Sequence, residues 1–166
     1  MTDKNLLENK NVLIVDDEPD ILDTLEEMLS ECVLVRASTF EEAKDFLESR
    51  YFDLAILDIM GVEGYQLLDI AGKRGVTAVM LTANALSPED TIKSYKKGAA
   101  YYIPKDEMAD IGTMLNEIIE AREKGENSWS RWLQRFGSFY EKRFGPDWQK
   151  RDKDFWEKFV KRYSMW

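Results

Sequence analysis

Four short apolar runs, each stopping at a polar or charged residue, constrain the fold of this chain more than any other feature. Val12 to Val15 stops at Asp16 and Asp17, Leu54 to Leu57 at Asp58, and Thr77 to Leu81 at Thr82, while Tyr101 to Ile103 passes through Pro104 to Lys105. Runs this short, rich in β-branched residues and without alternation, suit strands covered on both faces, as in a parallel sheet between helices. Open sheets of that kind collect their ligand-binding groups at the carboxyl ends of the strands. Three carboxylates, a hydroxyl and an ammonium are therefore expected to converge at one edge.

Between these runs the apolar residues repeat at helical spacing. Ile21, Leu22, Leu25, Met28 and Leu29 mark a first helix opened by Pro19, and Phe40, Ala43, Phe46 and Leu47 mark a second, capped by Ser38 or Thr39. A further strand, Val33 to Ala37, lies between them. Tyr65 to Ile70 reads as a short third helix, entered from a loop spanning Gly61 to Gly64 and left between Gly72 and Gly75. Ser87 and Pro88 open a fourth helix that Gly98 closes, and Ile111, Leu115, Ile118 and Ile119 form the stripe of a fifth. Five strands alternating with five helices predict a doubly wound, flavodoxin-like α/β fold, with a parallel sheet in the order 2-1-3-4-5 and right-handed crossovers.

The character of the chain changes after a linker-like stretch, Glu123 to Ser128. All five tryptophans and 12 of the 20 aromatic residues lie in 125–166. Trp129, Trp132, Leu133, Phe136 and Tyr140 share one helical face, and Trp148, Phe155, Trp156, Phe159, Val160 and Tyr163 share another. Gly145 and Pro146 break the pattern between them, so a helical hairpin is expected. The chain is thereby divided into residues 1–124 and an aromatic-rich extension, 125–166.

Charge and composition narrow the chemistry. The net charge is −9, and it is uneven: 1–124 carries 13 Lys and Arg against 26 Asp and Glu, whereas 125–166 carries 10 against 6. An acidic body and a small basic excess in the extension argue against DNA as a partner. The absence of histidine excludes Ser/His and Cys/His catalysis and any phosphohistidine carried in cis. A single cysteine, Cys32, excludes an internal disulfide and reads as a small core residue. Met1 to Lys10 has no signal-like apolar stretch, and no run has the roughly 18 to 20 apolar residues of a membrane span, so a soluble, cytoplasmic protein is expected.

Four segments carry a family resemblance: VLIVDDEPD at 12–20, DLAILDIM at 53–60, VMLTAN at 79–84 and KKGAAYYIPKD at 96–106. Over residues 10–124 the pattern resembles the receiver domain of two-component response regulators, the CheY-like superfamily. The resemblance implies that Asp58 accepts a phosphoryl group from a partner histidine kinase or phosphotransfer protein. It also implies a Mg2+ site, with Asp17 and Asp58 as direct ligands, Met60 contributing its main-chain carbonyl, and Asp16 acting largely through bound water. Lys105 and Thr82 would stabilise the transferring group, and Thr82 with Tyr102 would relay its arrival. Such a protein promotes its own phosphorylation and dephosphorylation rather than turning over an external substrate.

Two departures from the family pattern stand out. Pro104 precedes Lys105 and Asp106 follows it, where the family has Lys-Pro, so the Lys105–Asp106 bond is expected to be trans. The loop after Asp58 is about two residues short, which predicts an abbreviated third helix. The competing reading is a phosphorylation-independent module that binds or dimerises. In either case the extension is expected to bury its aromatic faces against the receiver or a second copy of the chain, with a protein effector as the output partner.

Overall fold

The apolar runs form strands where the sequence places them, most of them extended by one residue. The computed structural model describes residues 5–83, 88–144 and 152–163. Its strands are β1 (Asn11–Val15), β2 (Val33–Ala37), β3 (Leu54–Asp58), β4 (Thr77–Thr82) and β5 (Tyr101–Pro104). All neighbours pair in parallel, in the order β2-β1-β3-β4-β5. Every residue of β3 and β4 is buried, as uninterrupted apolar runs require.

Helices α1 (Pro19–Met28), α2 (Phe40–Ser49), α3 (Gly64–Lys73), α4 (Pro88–Lys96) and α5 (Ile111–Glu123) connect or follow the strands. At α2 the Thr39 hydroxyl accepts from the Glu42 amide at 3.1 Å, and Glu42 Oε1 accepts from the Ser38 amide at 3.0 Å. This reciprocal arrangement satisfies amides that a helix start leaves without partners. Cys32 is half-buried against the core, and burial followed by the charge of Glu31 pushes its thiol up to about 11.

One expectation needs correction, and one element is additional to the pattern. The third helix is not abbreviated: it has ten residues, as α1 and α2 do, and Gly72 lies inside it. Glu63 takes a left-handed conformation (φ 53°) to start the helix directly after the short loop, and the turn at its exit falls to Gly75 (φ 72°). Between β5 and α5 the chain forms a 3-10 helix, Lys105–Asp110, which the sequence pattern does not signal. The expected start at Ser87, the break at Gly145–Pro146 and the position of Trp148 lie outside the described residues, as does the side chain of Tyr140.

Beyond α5 follow α6 (Ser128–Phe144) and α7 (Lys153–Tyr163), which explain an asymmetry of the sheet. Both β2 and β5 are edge strands, yet β2 is largely exposed or half-buried whereas β5 is buried throughout. The difference is α6, which lies along β5 and α5 and covers the open strand edge. Trp129, Trp132, Phe136, Trp156, Phe159 and Tyr163 are buried in one apolar cluster with the sheet. On α4, the Tyr95 ring meets Trp129, Phe155, Phe159 and Tyr163 at centroid distances of 5.2 to 5.8 Å, all near edge-to-face. Each such pair contributes about 0.5–1.5 kcal/mol beyond area burial. The aromatic extension thus packs in cis on α4, β5 and α5.

Candidate functional site

The parallel sheet delivers five of the expected site residues to its carboxyl edge. Asp16 and Asp17 follow β1, Asp58 ends β3, Thr82 ends β4, and Lys105 follows β5. In the register Asp58 is level with Leu81, and Thr82 is level with Pro104, so Thr82 stands between the acidic residues and Lys105 in the order of the sheet. Lys105 reaches across: its Nζ lies 2.8 Å from Asp16 Oδ2, 3.0 Å from Glu18 Oε1 and 3.3 Å from Asp58 Oδ1. The transposed proline does not prevent this reach, and no cis peptide bond occurs among the described residues.

Asp16 is fully buried and its oxygens are already engaged, Oδ1 by the Glu18 amide at 2.9 Å and Oδ2 by Lys105. Asp17, by contrast, is exposed. A Cβ built on Gly61 would lie 2.5 Å from Asp17 Oδ2, and one on Gly64 would collide with the main-chain carbonyl of Asp58. Gly61, at φ 84°, therefore lets the loop close over the Asp17 carboxylate, and Gly64 lets α3 start against the end of β3. Met60, two residues after Asp58, is 74% exposed. Tyr102 lies within β5 and is fully buried, away from solvent.

Burial dominates the electrostatics. It pushes Asp58 up to about 7, reinforced by the negative charge of Asp16 and opposed by Lys105. Burial also raises Asp16, against the hydrogen bond from Lys105. Burial works against the Lys105 ammonium, yet its bonds to Asp16 and Glu18 outweigh this and hold it above the usual lysine range. For Asp58 the folded state binds a proton more tightly than the unfolded chain, so below pH 4 both forms are protonated and the group is neutral in its effect. Between pH 4 and 7 the folded state loses stability as pH rises. Metal-free protein is therefore expected to gain roughly 2 kcal/mol on going from about pH 7.5 to about pH 5.5. Urea unfolding in chelator checks this, with Asp58→Asn expected to flatten that increment.

The donor set suits a small hard cation. Carboxylate oxygens of Asp16, Asp17 and Glu18 all lie within 4.8 Å of one another, and Asp58 adds a buried acid held back from ionising by its surroundings. Hard oxygen donors in a partly open site are what Mg2+ requires. Glu18 is the residue that pattern reading passed over; the third acidic letter of the Asp-Asp-Glu run was its only signal.

Comparison with known proteins gives a consistent result. A family model described as the response regulator receiver domain matches residues 12–116. Among curated relatives, the response regulator GtcR of Aneurinibacillus migulanus is 28% identical over 131 residues, covering 74% of this chain and 54% of the relative. The heme response regulator HssR of Staphylococcus epidermidis is 35% identical over 101 residues, covering 57% and 44%. The chain spans about half the length of the curated relatives it matches. Among solved structures, a CheY-like response regulator receiver domain protein from Methanospirillum hungatei is 28% identical with a TM-score of 0.61, over 70% of this chain and 99% of that one.

Proposed function

The chain belongs to the response regulator receiver family, and from that membership we propose that Asp58 is its phosphoacceptor, charged by a partner histidine kinase or phosphotransfer protein. The observation supporting this most directly is the meeting of Lys105 and Asp58 at 3.3 Å, from separate strand ends, inside a buried acidic site. An Asp58 oxygen forms the new P–O bond while the donor's bond to phosphorus breaks, its electron pair leaving with the donor. Lys105 supplies positive charge, and Thr82 a hydroxyl, where negative charge spreads over the phosphoryl oxygens. Asp17 and Asp58, the Met60 carbonyl and, through water, Asp16 would hold Mg2+, whose charge neutralises those same oxygens when it is bound. The donor histidine is necessarily external, since this chain has none.

In this reading residues 1–124 carry the chemistry in the cytoplasm, and residues 125–166 connect it to a protein effector. Phosphate on Asp58 adds charge at the strand edge, and Thr82 and Tyr102 pass the change to α4, β5 and α5. No described helix is long and apolar enough to cross a membrane. Acetyl phosphate with Mg2+ is expected to add one phosphoryl group by intact mass, and chelator to prevent it. A wild-type protein that takes up none would assign the fold to phosphorylation-independent binding instead.

The two aspartates after β1 are expected to differ. Asp16 spends its oxygens on Lys105 and a main-chain amide, whereas Asp17 is exposed beside Gly61. Calorimetric titration is therefore expected to show Asp17→Asn weakening Mg2+ binding more than Asp16→Asn. Equal losses would remove this ordering.

A further inference from the structure

Three side-chain donors from the start of α6 end on main-chain carbonyls leading into and along β5. Ser128 Oγ donates to Ala100 O at 2.6 Å, Trp129 Nε1 to Ala99 O at 2.8 Å, and Trp132 Nε1 to Tyr102 O at 2.9 Å. Both indoles are buried, Trp132 completely. The last of these acceptors, Tyr102, belongs to an edge strand of only four residues, and the residue that follows that strand is Lys105. Beyond Lys105 the 3-10 helix gives weak support, because Glu107 inside it leaves helical geometry (φ −105°, ψ 16°). The main chain carrying Lys105 is thus held by β4 on one side, where Thr82 is level with Pro104, and by α6 on the other.

We infer that Trp132 is a positioning residue for the phosphoacceptor site: its indole N–H, bonded to the Tyr102 carbonyl, fixes the end of β5 so that Lys105 meets Asp58. The inference rests on the reading of Asp58 as phosphoacceptor and adds a part that 125–166 plays in the chemistry. A buried carbonyl deprived of its donor becomes a costly unsatisfied acceptor, which favours movement of the main chain that carries it. Lys105 lies three residues along from that carbonyl, and its ammonium must be placed to within about an ångström to act on the phosphoryl oxygens. The carboxylates that would hold Mg2+ follow β1 and end β3, so losing this bond leaves them in place and does not lower Mg2+ affinity.

The test is Trp132→Phe in the full chain, which keeps an aromatic ring and removes the donor. Phosphorylation by acetyl phosphate at saturating Mg2+ is expected to slow on the order of 10-fold, with calorimetric Mg2+ affinity not reduced. In a Lys105→Ala background the same substitution is expected to have no further effect, because the group it positions is gone. Trp129→Phe, which removes the same donor from a carbonyl further from Lys105, should slow the reaction less. If Phe at 132 does not fold, benzothienylalanine keeps the bicyclic ring and deletes only the N–H. Equal slowing with and without Lys105, or a parallel fall in Mg2+ affinity, would show general loosening and overturn the inference. Should wild type accept no phosphoryl group, the function reading fails by itself, and amide hydrogen exchange still decides the contact. Faster exchange confined to residues 103–108 in Trp132→Phe upholds the positioning, and unchanged exchange there overturns it.

Discussion

Asp58→Asn is expected to abolish the phosphoryl adduct outright, leaving no adduct in an incubation that labels the wild type fully. The substitution preserves shape, so the site remains assembled, but an amide oxygen lacks the negative charge that makes a carboxylate nucleophilic. No neighbour is placed to replace it. Asp16 is completely buried, with one oxygen on Lys105 and the other on the Glu18 amide. Asp17 faces the Gly61 turn. Lys105 contacts Asp16, Glu18 and Asp58, and of these only Asp58 ends a strand in the middle of the sheet, between β1 and β4. Intact-mass spectrometry after incubation with acetyl phosphate and Mg2+ reads the outcome directly. A variant that still gained one phosphoryl group would place the acceptor elsewhere and remove the assignment.

The sheet and the five groups at its edge were legible because they depend on short-range pattern. Apolar runs of three to five residues report burial on both faces, and the residue that interrupts each run marks the strand end. Side-chain reach across strands carries no such local signature. Glu18 gave no sign in the sequence that it would share Lys105 with Asp16, since the contact spans 87 positions. The length of α3 is not legible from its glycines; Gly72 is accommodated within the helix, and the left-handed turn comes only at Gly75. The aromatic extension announced its burial through composition but not its resting place. That depends on which strand edge is left open, and β5 with the residues leading into it presents carbonyls where the indoles of α6 can reach them.

Lys105→Ala is expected to separate two properties that the wild-type site holds together. Phosphoryl transfer should slow by about 10²–10³, the usual cost of removing one preorganised group that stabilises developing negative charge. Mg2+ affinity should move the other way. In the metal-free site the Lys105 ammonium already sits among Asp16, Glu18 and Asp58, at 2.8, 3.0 and 3.3 Å, so an incoming cation competes with it for the same carboxylates. Removing it exposes those charges to the metal and to one another. Without divalent cation the variant should unfold more readily than wild type, because Asp16 keeps no cationic partner while remaining fully buried. Adding Mg2+ should restore more stability to the variant than to the wild type, by the linkage between binding and folding. Calorimetric titration, thermal unfolding with and without Mg2+, and the rate of adduct formation measure the three quantities independently. Slower transfer with weaker Mg2+ binding would mean that Lys105 organises the carboxylates for the metal, and an unchanged rate would exclude it from the chemistry altogether.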